Sequence, residues 1–246
     1  MIDSIKLIEG IVFDLDDTLY PQISYKRNGF KVVAKWLASN LNLNQSAILS
    51  ELENILAMYG PSYPYMFDCL AELLKLGPHV VPEMVHRFIE HEPRINCYDG
   101  VFDLLSRIRR RYRLGILTDG RLTVQRKKTV ALGLTDRVDE ILFSDAMGLE
   151  KPAAELFQWF EDTFGMNAEK LMYVGDNPQK DFYGANCRGW RTVMVKTGQP
   201  LSSPIQSGYG PQVEIPAVVD LETLLRYDAD DGDRLQVSNR RHGVFS

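Results

Sequence analysis

Cysteine is scarce in this chain. Cys69, Cys97 and Cys187 are the only three, and no two of them form a C-x-x-C pair. That excludes a disulfide-built scaffold, offers no zinc site and suits a reducing compartment. Long apolar runs are lacking too, and none approaches the roughly 20 residues that span a bilayer. The opening MIDSIKLIEG has no basic start followed by an apolar stretch, so no signal peptide is expected. An excess of basic charge is also missing. The formal net charge is -5, which argues against a general partner of nucleic acid or anionic membrane. What remains is the composition of a soluble globular protein, expected in the cytoplasm. Its 246 residues suffice for one large domain or two smaller ones with real cores.

Short apolar strand candidates recur at 11–14, 114–118, 140–144, 171–175 and 192–195. Helical patterns separate most of them. Val101, Leu104, Leu105 and Ile108 recur at i, i+3, i+4 and i+7, and Leu156, Phe157 and Phe160 mark one side of a second helix. Strands alternating with helices predict an α/β fold, a Rossmann-like parallel sheet with helices on both faces. Ligands of such sheets bind beyond the carboxyl ends of the strands.

One interval breaks the alternation. Roughly a hundred residues separate Asp14 from Thr118, far more than a simple crossover of a few tens of residues needs. Residues 21–93 show no convincing strand but several helical sets. Phe30, Val33, Ala34, Leu37 and Leu41 form one, and Ile48, Leu49, Leu52, Ile55 and Leu56 another. The expected division is a core of 1–20 and 94–227, an inserted all-helical domain over 21–93, and a polar tail over 228–246. Hinges are expected near Tyr20-Pro21 and Glu92-Pro93. The stretch TGQPLSSPIQSGYGPQ reads as a loop, with a last short helix at 221–225.

Chemistry concentrates in four places. In GIVFDLDDTLY an apolar strand runs into Asp14, Asp16 and Asp17; ILTDG ends a strand at Thr118. GLEKPAAELF carries Lys151, and YVGDNPQKD carries Asp176 and Asp181. Each stretch alone reads equally well as a solvated turn. Jointly they would converge on one edge of the sheet. Like-charged carboxylates about 4 Å apart repel by about 4 kcal/mol per pair at an effective dielectric near 20. Lys151 supplies only one balancing charge, so a hard divalent cation with oxygen ligands fits the remainder.

These residues carry a resemblance to the haloacid dehalogenase-like hydrolase superfamily. Its D-x-D-x-T motif is matched by Asp14, Asp16 and Thr18, its Thr/Ser by Thr118 and its lysine by Lys151. Its G-D-x-x-x-x-D pattern is matched by Gly175, Asp176 and Asp181. The motifs fall in family order over about residues 8–200, and the helical insert resembles the family's C1 cap. The resemblance implies a Mg2+-dependent phosphatase acting on a small soluble phosphate ester, such as a sugar phosphate or a nucleoside monophosphate. By the same resemblance Asp14 is the nucleophile that forms an aspartyl-phosphate, and Asp16 the general acid and base. Thr118, Asp119 and Lys151 would bind the phosphoryl group. Asp14, Asp16 (through its carbonyl) and Asp176 would hold the metal, with Asp181 either a further ligand or the partner of Lys151. Dehalogenases of the family lack the acid at the Asp16 position, because halide needs no proton to leave. A phosphomutase and a non-catalytic interaction protein are the alternatives.

Other features read as structural. RIRRRYR, with five arginines in 107–113, is expected at a solvated helix end. QRKK at 125–128 is expected on a solvated helix face, and His86 and His91 at the surface. Substrate choice falls to the cap and hinges, with Tyr20, Tyr25, Lys26, Arg27, Tyr63 and Arg121 as candidates.

Overall fold

The computed structural model describes residues 8–196 and 204–225. The first part of the loop expected from 197 and the whole of the tail expected over 228–246 lie outside the described residues. In chain order the elements are β1 (Gly10–Phe13), α1 (Gln22–Leu41), α2 (Gln45–Tyr59), α3 (Met66–Leu73), α4 (Val81–Glu90) and α5 (Val101–Ile108). There follow β2 (Arg113–Thr118), α6 (Leu122–Ala131), β3 (Glu140–Phe143), α7 (Ala154–Phe164) and β4 (Leu171–Gly175). The last are α8 (Tyr183–Arg188), β5 (Arg191–Val195) and β6 (Val213–Ile215). The chain divides into two compact units, one of 1–21, 97–125 and 133–246, the other of 22–96 and 126–132.

The first unit is built on a parallel sheet of order β3-β2-β1-β4-β5-β6. Strand β1 has all four residues buried, which is why it reads as an unbroken apolar run rather than an alternating one. Val12 joins Leu117, Leu171 and Tyr173 in a cluster with Phe157, Phe160 and Phe164 of α7 and Ala185 of α8. Ile11 and Phe13 project to the opposite face and are fully buried there. Helix α7 starts without a side-chain cap at Ala153, so its amino end lacks the roughly 1 kcal/mol that a capping residue adds. Apolar burial along Leu156, Phe157 and Phe160, at roughly 1.5–3 kcal/mol per large side chain, outweighs that loss. The topology reverses between β1 and β4. Such a switch point opens a crevice at the carboxyl ends of the two strands.

Strand β6 is absent from the expectation. It has only three residues, follows a Pro- and Gly-rich stretch, and pairs with β5 at the sheet edge. The arginine-rich segment is tied down locally. Arg107 pairs with Glu222 at 2.8 Å, Arg109 with Asp139 at 3.1 Å and with the Asp136 carbonyl at 2.7 Å, and Arg113 lies 4.6 Å over the Phe164 ring. Exposed pairs of this kind each contribute only about 0–1 kcal/mol.

The second unit packs α1 against α2 and α4, and α3 against α2 and α4. Its core is apolar, built from Phe30, Val33, Leu37, Ile48, Leu52, Leu70 and Met84 among others. Asn44 caps α2, its side chain accepting from the Ala47 N–H at 3.0 Å. Among the described residues no helix is long and apolar enough to cross a membrane.

Two surface expectations fail. The first concerns α6, where Gln125, Lys128 and Thr129 are buried and Val130 is 67% exposed. Together with Leu132 the buried residues keep i, i+3, i+4, i+7 spacing, but polar side chains occupy the stripe. Lys128 places its ammonium 4.7 Å over the Tyr25 ring, a cation–π contact that tolerates burial.

The second concerns His91, which is 5% exposed. Its ring lies 4.6 Å from that of Tyr25 and 5.9 Å from that of Phe88, and Nδ1 is 2.5 Å from the Phe88 carbonyl. A carbonyl only accepts, so Nδ1 carries the hydrogen and Nε2 is left bare. Nε2 has no hydrogen-bond partner among the described residues. Burial pushes His91 below its usual 6.5, and nearby Lys127 and Lys128 act in the same direction, against the Phe88 carbonyl and Glu92. The unfolded chain therefore binds the proton more readily than the folded one. This contribution to stability is complete above about pH 6.5 and is lost as the pH falls below it. His91→Phe is expected to flatten the decline in urea midpoint between pH 7 and pH 5, the native slope being at most about 1.4 kcal/mol per pH unit. Identical slopes in the two proteins would rule this out.

Candidate active site

Three neighbouring strands end at one place. Phe13 of β1 stands in register with Ile116 of β2 and Val174 of β4. Asp14, Thr118 and Asp176 therefore emerge side by side at the switch point. Asp14 is fixed further by its backbone N–H, which donates to the Val174 carbonyl at 2.8 Å. The chain then turns sharply, with Asp17 at φ 56° and its N–H donating to the Tyr20 carbonyl. This left-handed residue is what lets the chain bend just beyond the strand.

Lys151 stands at the centre. Its Nζ donates to Asp14 Oδ1 at 2.5 Å, Asp181 Oδ1 at 2.6 Å and the Tyr173 hydroxyl at 3.0 Å. These use all three ammonium hydrogens. The Tyr173 hydroxyl is 3.3 Å from the Leu117 carbonyl, to which it donates. Asp181 is committed on both oxygens, since Oδ2 accepts from the backbone N–H groups of Asp176 at 3.1 Å and Asn177 at 2.8 Å. Gly175 makes that approach possible, because a Cβ there would lie 2.4 Å from Asp181 Oδ2. Asp119 accepts from the Lys151 backbone N–H at 3.1 Å and lies 3.6 Å from Lys180 Nζ. Its carboxylate braces the lysine loop; toward a phosphate its useful group would be the backbone N–H.

Asp16 faces a different set of partners. The Tyr20 hydroxyl donates to Oδ1, and Gln125 Nε2 donates to Oδ2 at 2.8 Å. The same Nε2 reaches Thr118 Oγ1 at 2.5 Å. Tyr20, Gln125 and Tyr173 are site residues that sequence reasoning did not find in these roles. Of the residues named as substrate contacts, Arg27 is held by Glu53 at 2.9 and 3.0 Å, Lys26 by the Pro61 carbonyl, and Tyr63 stacks on Tyr59. Tyr25 is buried against Phe88 and His91, and Arg121 is exposed.

The electrostatics are those of a site short of positive charge. Burial pushes Asp14 up to about 7 despite Lys151, with Asp181 and Asp16 adding to the rise. Burial and the charges of Asp14 and Asp181 push Asp176 up to about 9. Lys151 is held well above its ordinary value, because Asp14 and Asp181 more than offset the cost of burying it. One oxygen each of Asp14, Asp176 and Asp181 lies within 4.8 Å of the others. An all-oxygen, charge-deficient set of this size fits a hard divalent cation.

Comparison with known proteins places the molecule. The family model of the haloacid dehalogenase-like hydrolases matches residues 11–195, and the chain belongs to this family. A glyceraldehyde 3-phosphate phosphatase of Pyrococcus abyssi is 30% identical over 245 residues, covering 96% of this chain and 100% of that one. A phosphoserine phosphatase of Thermus thermophilus is 34% identical over 158 residues, covering 62% of this chain and 64% of that one. Among solved structures, the putative hydrolase YfnB of Bacillus subtilis, bound to magnesium, superposes with a TM-score of 0.63. It is 21% identical and covers 89% of this chain and 98% of that chain.

Proposed function

We propose that this hydrolase is a Mg2+-dependent phosphatase that cleaves a small alkyl phosphomonoester through an aspartyl-phosphate on Asp14. The observation that carries the reading is Asp16. A carboxyl group stands two residues beyond the nucleophile and is joined through Gln125 to the hydroxyl of Thr118. A phosphate ester needs a proton donor for its leaving alkoxide, whereas a halide leaves without one.

In the first step an Asp14 carboxylate oxygen attacks phosphorus and the bond to the leaving oxygen breaks. Asp16 gives its proton to the departing alkoxide. In the second, Asp16 takes a proton from water, the water oxygen attacks phosphorus, and the bond to Asp14 breaks to release phosphate. Thr118 and neighbouring backbone N–H groups would hold the equatorial oxygens, where charge spreads in the transition state, and Lys151, whose three hydrogens go to Asp14, Asp181 and Tyr173, would act on them through its charge. Asp14, the Asp16 carbonyl and Asp176 would hold Mg2+, which neutralises charge on the phosphoryl oxygens when bound. Asp181, with both oxygens already occupied, fits better as the partner of Lys151 than as a direct ligand.

The relatives named above point to small primary phosphates such as glyceraldehyde 3-phosphate and phosphoserine, alongside sugar phosphates and nucleoside monophosphates. A phosphate-release panel over these esters is expected to show turnover with Mg2+, loss of it in EDTA, and recovery when Mg2+ is returned in excess. Folded protein that released phosphate from no ester would end this reading.

A further inference from the structure

We propose that Gln125 and Tyr20 form a two-sided clamp that fixes the Asp16 carboxyl plane relative to the phosphoryl-holding hydroxyl of Thr118, making both of them positioning residues for leaving-group protonation. This rests on the phosphatase reading above and goes beyond it.

The geometry carries the inference. A carboxylate only accepts, so the group facing each of its oxygens must be a donor. On Oδ1 that donor is the Tyr20 hydroxyl, and on Oδ2 it is the Gln125 amide at 2.8 Å. Together they prevent rotation of the carboxyl group about its terminal torsion, which is otherwise broad. The Gln125 NH2 has a second hydrogen, and it meets Thr118 Oγ1 at 2.5 Å. With that oxygen accepting, the Thr118 hydrogen is free to point at a phosphoryl oxygen. One amide group therefore sets the spacing between the phosphoryl site and the proton donor.

Burial makes the arrangement selective. Gln125 is 1% exposed and Tyr20 fully buried, so neither is a surface side chain that settled there by chance. Gln125 lies on the polar buried stripe of α6, and its amide spends both hydrogens on Asp16 and Thr118.

The test compares two esters that differ in their need for a proton. p-Nitrophenolate leaves unaided, whereas the alkoxide of glyceraldehyde 3-phosphate, or of the fastest alkyl ester in the panel, requires the Asp16 proton. The value of kcat/KM reports the step in which that bond breaks. Tyr20→Phe, which leaves the Thr118 contact intact, is expected to lower alkyl-ester kcat/KM about 10- to 100-fold, a part of what general acid catalysis contributes. It should change p-nitrophenyl phosphate less than about 3-fold. Gln125→Met keeps the size of the side chain but donates nothing. It is expected to lower the alkyl ester by a similar factor and p-nitrophenyl phosphate about 5-fold, the latter through Thr118.

A structural role alone would depress both esters equally. Equal losses in both variants, or none, would therefore overturn the clamp while leaving the phosphatase reading intact. Wild-type protein inactive on both esters would overturn the phosphatase reading and the clamp with it. Should Gln125→Met fail to fold, Tyr20→Phe decides the matter alone.

Discussion

Asp14→Asn is expected to lower phosphate release from p-nitrophenyl phosphate by at least about 10⁴-fold, the range seen when a covalent nucleophile is removed. Asparagine matches the shape of aspartate, and its amide oxygen can still accept from Lys151, so the local packing survives. What disappears is the carboxylate proposed to attack phosphorus. Its position explains why nothing replaces it. Asp14 lies at the end of a fully buried strand, with its N–H bonded to Val174, and the other carboxylates around Lys151 and Thr118 are already engaged. Asp181 is committed on both oxygens, and Asp16 is held by Tyr20 and Gln125. Two measurements check the role. Steady-state turnover gives the fall in rate. Acid quench of the wild-type protein during turnover should leave a phosphoryl group on the peptide that contains Asp14 and on no other. Equal rates for the two proteins would remove Asp14 as the nucleophile.

The sheet was legible because parallel strands buried on both faces are nearly pure apolar runs. IVF, LGILT and LMYVG each stand out against polar flanks. The helical unit was legible for a related reason, since α1 and α2 keep their buried positions at helical spacing. Strand β6 was not, because Val213–Ile215 is too short to show a period and relies on pairing with β5. Helix α6 misleads in the opposite sense. Its buried stripe is polar, so hydropathy assigns the stripe to solvent and leaves Val130 looking like core. His91 was misread through spacing alone, because five residues from His86 says nothing about the aromatic rings that enclose it.

The site divides along the same line. Asp14, Asp16, Asp176 and Asp181 lie in short local motifs, and the strand order brings these motifs to one crevice. The side chains that orient them are different. Gln125 reaches Asp16 across 109 positions and is embedded in a basic run that reads as surface. Tyr173 sits inside a strand where an aromatic residue reads as packing. Tyr20 drew attention as a possible substrate contact, but its hydroxyl is spent on Asp16. The available signal was the residue type: a Tyr four positions after Asp16, and a Gln seven after Thr118. Neither spacing says which group it meets, because side-chain contacts depend on how the turn and the helix are aimed.

Lys151→Met carries the largest expected cost in stability. Lys151 has a side chain 3% exposed and faces Asp14 and Asp181 at 2.5 and 2.6 Å. Methionine fills similar volume, so the loss is electrostatic rather than a cavity. Removing one partner from a buried ion pair costs about 3–5 kcal/mol, because the remaining charge is left uncompensated. For a domain of this size each kcal/mol lowers Tm by about 2–4 °C, so a drop of about 10 °C is expected in metal-free buffer. Activity should be lost as well, because in the proposed mechanism Lys151 is the cation that offsets charge at the phosphoryl group. The charge argument can be separated from packing by a double replacement. Asp14→Asn combined with Lys151→Met removes one stranded carboxylate, so it should be destabilised less than Lys151→Met alone. Additive losses would show that Lys151 stabilises by packing its stem and not by balancing Asp14.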